Sequence, residues 1–438
     1  MKCTIQTQNK QATLTVKQLI LFQQCQLIHA EGRSGQDYYL IFHDKRYVNT
    51  IKVKQLKQDT FIHQATEQGL IVTAPHHAIY TLINQQIFTC IPLKRMLANI
   101  NGKQKSIESI IILSYFDQFI AKEKIITRFI KAYQEYRRNG QLKHAHHVLL
   151  MLQSYDPENQ FAHDILTSLT FQGYQVDKHL TLAFNPLQLD LLEHIYLETE
   201  SELELSILST VQLLNHYSEH HFQLLQQTLN DYPIDIQRKT LRQLIKQKPS
   251  LIKQQSFANA FLNIASAKQY ITIILQKDYP HPIKATTFTE QLERLDKSNL
   301  RDVFLKKQNS IIARTKNFSQ LEKEKIARLL VEATLPFLSL DDILIWLEDF
   351  DQSFSFQPQL LSMKKLVQNP DQQEQLADLY LKFNYLDGAI ECLKWEVELD
   401  PTNEAIYKKL IKLLKESNQH EEADAFQEQW IQQTKYSK

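Results

Sequence analysis

The sequence predicts a mainly α-helical protein with a small β-rich or α+β domain at its N-terminus. Three observations support this fold class. Short runs with strand character are confined to the first quarter of the chain, and helix-start signals recur after residue 106. Glycine supplies only seven of the 438 residues, whereas Leu, Ile, Gln, Lys and Glu are abundant. That composition favours helices, because glycine weakens a helix interior and the abundant residues support it.

The N-terminal domain is predicted from four short segments. Residues 13–16 and 51–54 alternate polar and apolar side chains, and this period of two is typical of a half-buried strand. Residues 38–42 and 70–73 are β-rich runs that follow glycines. A turn-like stretch at residues 99–102 closes this part of the chain. The sequence therefore predicts a domain over residues 1–105.

Helix starts are recognisable further along the chain. Ser319 and Glu322 have the spacing of a capping box, and Ser339 begins a similar segment. Asn369 followed by Pro370 reads as an N-cap with proline in the first turn, where its missing amide costs nothing. Prolines recur between such segments. This punctuation predicts a helical array over residues 106–368 and further helices over 369–438, arranged as stacked hairpins.

Residues 376–401 carry a repeat-like pattern in which small and large side chains alternate along two helices. The matching positions are Leu376, Ala377, Tyr380, Ala389, Leu393 and Pro401. Advancing by 34 residues gives Tyr407, Leu410, Leu414 and Ala423 in register. A further copy near residues 126–159 contains Phe129, Tyr136, Ala145 and Leu149. This pattern resembles the tetratricopeptide repeat (TPR). Glu396 and Ile411 depart from it, because both stand where the family has a small residue.

The resemblance implies a TPR-like α-solenoid that acts as a non-enzymatic scaffold or adaptor and binds another protein or a peptide. In that family the first helix of each repeat lines a concave groove. The side chains that this places in the groove are Asp371, Glu374, Asp378 and Lys382 in one hairpin and Lys408, Lys412 and Lys415 in the next. Two interpretations stay open: the acidic and basic helices pair with each other, or the groove binds a charged peptide.

Two blocks of opposite charge lie in the middle of the chain. Residues 190–235 contain acids but no lysine or arginine, and residues 238–277 contain lysines and arginines but no acid. The blocks either pair internally or offer a charged surface to a partner. We expect no nucleic-acid partner, because aromatic residues do not interleave residues 238–253 and the acidic block is adjacent.

One short motif suggests metal chemistry. His216, Glu219 and His220 form H-x-x-E-H, the spacing of inverted zinc peptidases, in which two histidines on one helix face hold zinc and a glutamate activates water. A metal-dependent hydrolase is therefore an alternative function. The pair His76–His77 reads as exposed polar residues. A third hypothesis is a regulator whose N-terminal domain senses a small molecule.

Several classes of function are disfavoured. The sequence has neither a P-loop nor a dinucleotide-binding fingerprint, so we expect no cofactor. No two of the four cysteines are close enough for a CxxC pair. The net charge of +1 gives no global attraction to nucleic acid or to an anionic membrane. The first residues lack the apolar core of a signal peptide, and no apolar run is long enough to span a bilayer, so we expect a cytoplasmic protein without a membrane partner.

Overall fold

A computed structural model describes residues 1–7, 10–84, 87–102, 107–168, 170–171, 189–351 and 353–436. The chain divides into two compact units, Met1–Ile264 and Ala265–Lys438. The boundary expected at residues 105–106 falls outside the described residues, and the boundary expected near residue 368 lies inside the second unit.

The first unit contains a seven-stranded sheet. Its strands are β1 (Lys2–Gln6), β2 (Gln11–Phe22), β3 (Cys25–Glu31), β4 (Asp37–His43), β5 (Arg46–Val53), β6 (Leu70–Thr73) and β7 (Ile87–Thr89). The spatial order is β5-β4-β3-β2-β1-β7, and β6 also pairs with β2. The pairs are antiparallel except β1 with β7, which is parallel. The strands predicted at 13–16, 38–42 and 70–73 are confirmed, and the strand predicted at 51–54 is present but ends at Val53.

Strand β2 is long enough for two strands, β1 and β6, to pair with successive parts of the same edge. Residues 11–15 pair with β1, and residues 18–21 pair with β6. The pairing of β2 with β3 shifts register between Val16 and Gln18, which marks a β-bulge at the junction. The bulge separates the part of β2 that pairs with β1 from the part that pairs with β6.

The helices of the first unit surround this sheet and continue beyond it. They are α1 (Phe61–Gln68), α2 (His77–Ile83), α3 (Leu93–Gly102), α4 (Ile107–Ser114), α5 (Lys122–Arg138), α6 (Leu142–Tyr155), α7 (Gln160–Leu166), α8 (Leu189–Glu198), α9 (Glu202–Asn215), α10 (Glu219–Asn230), α11 (Ile234–Gln247) and α12 (Gln255–Ile264), with 3₁₀ turns at Asp117–Phe119 and Pro249–Lys253. The turn expected at residues 99–102 is instead the last turn of α3.

Both faces of the sheet are buried. Leu19 and Leu21 of β2 face a core that includes Leu203 and Leu208 of α9. The alternate β2 residues, Ile20 and Phe22, face a second core. The second core also contains α1 and the adjacent aromatic residues Tyr115 and Phe116. A sheet that is apolar on both faces needs a covering layer on each. Residues 1–105 therefore share their cores with helices that come later in the chain.

The second unit is helical in all its described elements. Its helices are α13 (Ala267–Ile274), α14 (Ala285–Glu293), α15 (Lys297–Thr315), α16 (Gln320–Thr334), α17 (Leu340–Phe350), α18 (Gln357–Leu366), α19 (Gln373–Lys382), α20 (Leu386–Leu399), α21 (Glu404–Glu416) and α22 (His420–Tyr436), with a 3₁₀ turn at Pro370–Gln372. From α17 onward, each helix packs against the next one in the chain. Within the described ranges, no helix of either unit combines the length and apolar character needed to cross a bilayer.

The predicted helix starts are confirmed. The hydroxyl of Ser319 accepts the amide of Glu322 while the carboxylate of Glu322 accepts the amide of Ser319, which completes the capping box. Ser339 caps α17 through the amide of Asp342. The side chain of Asn369 accepts the amide of Asp371 at the 3₁₀ turn.

The turns between paired helices repeat one backbone design. Gly140, Asn384 and Asn418 each have positive φ, at 71°, 53° and 60°. At the first two turns, the amide of Gln141 reaches the carbonyl of Tyr136, and the amide of Tyr385 reaches the carbonyl of Tyr380. At the third, the amide of Gln419 reaches the carbonyl of Leu414. These are the bonds of a Schellman motif, and Asn384 and Asn418 are 34 residues apart.

Two adjacent histidines sit at a buried junction of the first unit, which corrects the expectation that they are exposed. His76 and His77 are 2% and 1% exposed. The Nε2 atom of His76 lies 3.0 Å from the hydroxyl of Thr210 in α9, and the amide of His77 donates to the hydroxyl of Thr240 in α11. Among the described residues, neither ring nitrogen of His77 has a hydrogen-bond partner.

The shared cores predict how fragments of the first unit behave. We expect residues 1–105 alone to lack a cooperative unfolding transition, because one face of the sheet loses its α9 cover. Residues 1–264 should unfold cooperatively. Near-ultraviolet circular dichroism during thermal unfolding, together with binding of a hydrophobic dye, makes the comparison. A cooperative transition in the short fragment would show that the helical cover is dispensable.

The buried histidines predict that stability falls in mild acid. Burial lowers the pKa of His77 from 6.5 to about 3 and that of His76 well below 6.5. At these two histidines, the unfolded chain therefore binds more protons than the folded chain below pH 6.5. Their contribution to the free energy of unfolding is complete above that pH and is lost as the pH decreases. One such histidine costs about 2 kcal/mol at pH 5. Asp117 opposes this trend, because burial raises its pKa to about 6.

His77→Phe isolates the histidine contribution, since an aromatic ring of similar size needs no proton. We expect the free energy of unfolding, measured by urea denaturation at pH 7.5 and pH 5, to decrease less in His77→Phe than in the parent. His63→Phe, at a partly exposed position of α1, is the control and should keep the parental pH dependence. Equal pH dependence in the parent and His77→Phe would contradict this assignment.

Candidate functional site

The predicted groove residues divide into two groups with different surroundings. Glu374 and Asp378 of α19 both face Lys409 of α21, whose Nζ lies 3.5 Å from Glu374 Oε1 and 2.5 Å from Asp378 Oδ1. Lys409 was absent from the predicted set. Asp371 and Lys382 are exposed. The acidic side chains Glu374 and Asp378 thus already have a cationic partner on the next hairpin, as the pairing interpretation expects.

The three predicted lysines of α21 come together beside a pocket. A cavity of about 620 Å³ is lined by residues of α21 and α22. Its lining residues are Tyr407, Lys408, Ile411, Lys412, Lys415, Glu416, Gln427 and Trp430. Lys408, Lys412 and Lys415 are all exposed. The pocket therefore combines an apolar floor with a rim that carries three cations.

The floor of this pocket is formed by two aromatic rings and one aliphatic side chain. The ring centroids of Tyr407 and Trp430 are 4.9 Å apart, with planes inclined at 39°. Tyr407 is fully buried, and its hydroxyl has no hydrogen-bond partner among the described residues. A buried hydroxyl without a partner carries an unmet desolvation cost. Because this hydroxyl is closed to solvent, it is not a hydrogen-bonding group of the pocket.

Departures from the repeat pattern coincide with the pocket. Ile411 stands at one small-residue position of the pattern, and Trp430 lies 34 residues after Glu396, at the other. Both residues line the pocket. In the preceding hairpin, the carboxylate of Glu396 instead accepts the amide of Glu374 at the start of α19. Glu396 therefore serves as a helix cap, which explains why a charged residue is accommodated there.

The rim lysines form weak pairs within their own hairpin. Lys408 Nζ lies 2.6 Å from Glu404, and Lys412 Nζ lies 3.8 Å from Glu416. The amine of Lys415 donates to Gln427 Oε1 at 3.4 Å. Exposed pairs at i,i+4 on a helix contribute about 0.3–0.5 kcal/mol each. An incoming carboxylate can displace such partners at little cost.

The predicted zinc-peptidase motif is not on one helix. His216 is the C-cap residue that follows α9, whereas Glu219 and His220 open α10 after a turn. The carboxylate of Glu219 accepts the hydroxyl of Tyr217 at 2.8 Å. The expected placement of His216 and His220 on one helix face is therefore wrong, because the chain turns between them. His220 instead lies beside Glu193 and His221, a grouping that short-range spacing could not reveal.

Two cations of the basic block bind backbone carbonyls at helix ends. The amine of Lys248 donates to the carbonyls of Leu213 and Asn215 near the end of α9. Arg238 donates to the carbonyl of Ile264, the last residue of α12. Cations at these positions neutralise unpaired carbonyls and the negative end of the helix dipole. Lys239 pairs with Asp235 on the same helix and joins the two blocks at one point.

A second cavity lies within the first unit, beside the start of α1. It has a volume of about 560 Å³ and polar walls. Lys122 pairs with Asp156 across it at 2.8 Å, and Asp59 and Glu158 add negative charge. The carboxylate of Asp117 accepts the amide of Phe61 and so caps α1. Sequence reasoning missed this cleft, because its residues come from segments far apart in the chain.

The two cavities and the grouping of Glu193, His220 and His221 each bring together residues from separate segments of the chain. The C-terminal pocket collects the predicted lysines, the cleft in the first unit adds an acidic surface that was not predicted, and the histidine cluster replaces the predicted metal motif. Comparison with known proteins gives no family to which the chain can be assigned: no protein-family model matches the sequence, and no curated protein matches it significantly.

Proposed function

We propose that this protein is a cytoplasmic, non-enzymatic adaptor built on a TPR-like α-solenoid, and that the α21–α22 pocket binds an acidic peptide segment of a partner protein. The observation that carries the proposal is the pocket itself: three lysines surround an apolar floor of Tyr407, Ile411 and Trp430. Apolar pockets with a few polar groups at the rim are the usual form of ligand sites.

Charge distribution favours an acidic ligand over a basic one. The acidic side chains of α19 are already paired with Lys409, whereas the rim lysines have weak partners within their own hairpin. Complementary charge raises the association rate and fixes orientation, while burial of an apolar side chain against Trp430 supplies affinity. Such a peptide would place a leucine-like side chain on the floor and glutamates or aspartates at the rim.

The repeat geometry also supports the proposed fold. The two C-terminal hairpins share the same turn, the same spacing, and buried alanines at Ala389 and Ala423, which are both 0% exposed. Small residues at these positions allow paired helices to approach closely. The upstream hairpin of α5 and α6 has an equivalent buried alanine at Ala145 and the Gly140 turn.

A direct binding measurement tests the pocket. The probe is a short fluorescein-labelled peptide in which glutamates flank a central leucine, and its binding to the full chain is followed by fluorescence anisotropy. We expect Lys412→Glu/Lys415→Glu to weaken binding roughly tenfold, about 1.4 kcal/mol, and we expect added salt to weaken binding to the parent.

Lys382→Glu is the matched control, because it reverses an exposed lysine of α19 that does not line the pocket. A second peptide, with glutamines in place of the glutamates, should bind more weakly than the first. Equal loss of binding in Lys382→Glu and in the double variant would count against this pocket, as would equal affinity for the two peptides.

The cleft in the first unit favours a second candidate function, a regulator that senses a small cationic molecule. Its excess of negative charge suits a polyamine, and it contacts both the sheet domain and the α5–α6 hairpin. We expect spermidine to raise the melting temperature of the full chain, and Asp59→Asn/Glu158→Gln to abolish that rise. Sodium chloride at matched ionic strength and Glu67→Gln, an exposed acid of α1 outside the cleft, are the controls. No difference between spermidine and salt would eliminate this candidate.

A further inference from the structure

Three side chains with metal-binding atoms converge in the first unit, and none of them lines the cleft beside α1. Glu193 lies on α8, and His220 and His221 are the second and third residues of α10. The Nε2 atom of His220 is 2.7 Å from Glu193 Oε1, and the Nε2 atom of His221 is 3.1 Å from Glu193 Oε2. One ligand atom from each of the three residues lies within 4.8 Å of the other two.

The surrounding structure holds two of these side chains in place. Leu192, next to Glu193, is buried in the core beneath the sheet, and Tyr196 anchors the next turn of α8 in the same core. The Glu193 and His221 side chains are 15% and 20% exposed, whereas His220 is 60% exposed. The grouping therefore has a fixed, partly buried half and one histidine that can move toward an ion.

A neighbouring hydroxyl orients the less exposed imidazole. Ser218 caps α10, and its Oγ atom lies 2.8 Å from His221 Nδ1. With Nδ1 engaged by Ser218, the Nε2 atom of His221 is the one left to face Glu193. Histidines that bind metals in proteins characteristically have their other ring nitrogen held by such an outer partner.

We propose that Glu193, His220 and His221 form a binding site for a divalent transition metal of the zinc class. Two imidazole nitrogens and one carboxylate oxygen are a ligand set that suits Zn²⁺, with water completing four-coordination. Calcium and magnesium prefer sites made of oxygen atoms alone. Binding requires the three ligand atoms to contract around the ion, at about 2.0–2.2 Å from it. His220, being exposed, supplies that movement.

The neighbouring acidic and imidazole groups are not part of this grouping. Glu219 is bonded to Tyr217, His194 faces Glu198 on its own helix at 3.6 Å, and His216 is the C-cap residue of the preceding helix. The site thus differs from the H-x-x-E-H motif in two of its three residues. A bound ion would cross-link α8 to α10 within the helical layer that covers the sheet.

Metal titration of the full chain, after removal of bound ions with a chelator, tests the site. We expect one Zn²⁺ per chain to bind in competition with a chromophoric chelator, and Co²⁺ to give the visible absorption of a four-coordinate complex. Glu193→Gln and His221→Ala should each weaken binding more than about tenfold. Zn²⁺ should also raise the melting temperature of the parent, because only the folded chain brings the three ligands together.

His194→Ala is the matched control, because it removes an exposed histidine one residue from Glu193, and it should keep the parental affinity. His220→Gln provides a second test at an exposed position where folding is undisturbed, and circular dichroism verifies the fold of each variant. Absence of stoichiometric Zn²⁺ binding would overturn the proposal. Binding that survives Glu193→Gln and His220→Gln would overturn it as well, since the ion would then be held by other histidines.

Discussion

The organisation of the first unit depends on one constraint: its sheet is apolar on both faces. In β2, Leu19 and Leu21 point to one core while Ile20 and Phe22 point to the other. Each face must be covered for the strand to be stable. Helix α1 contributes to one core, whereas the other core contains residues of α2 and of helices much later in the chain. The chain therefore returns to the sheet much later, through α8, α9 and α10. That return also buries His76 and His77 against α9 and α11, at a polar junction in an otherwise apolar layer.

Features governed by local rules could be predicted from the sequence. The capping box at Ser319, the strand at residues 38–42 and the 34-residue spacing of the C-terminal hairpins all depend on neighbours within a few residues or on a fixed period. Long-range pairing could not be predicted in this way. Nothing in the sequence near Glu374 indicates that its partner is Lys409, and nothing near His220 indicates Glu193. Those contacts are set by helix packing, which a periodic pattern specifies only as a face.

The charge blocks illustrate a related limit. A count of charged side chains suggests that each charge pairs with an opposite one. The side chains of Lys248 and Arg238 instead donate hydrogen bonds to backbone carbonyls at the ends of α9 and α12. Helix termini leave carbonyls without partners, so a cation has a partner wherever a helix ends beside it. A basic block that follows several short helices is therefore compatible with a purely internal role, and its sequence alone does not identify a binding surface.

The same reasoning distinguishes the lysines of α21 from those of the basic block. Lys408 and Lys412 pair with glutamates on their own helix, and that arrangement contributes little because both partners remain in water. The neighbouring Tyr407 hydroxyl is buried without a partner in the described chain, and Trp430 flanks it. A ligand carboxylate at this rim would exchange a weak surface pair for one beside an apolar floor, where the lower dielectric strengthens the attraction. The weak, replaceable partners of these lysines beside an apolar floor are the reason that we propose this pocket as the binding site of an acidic peptide.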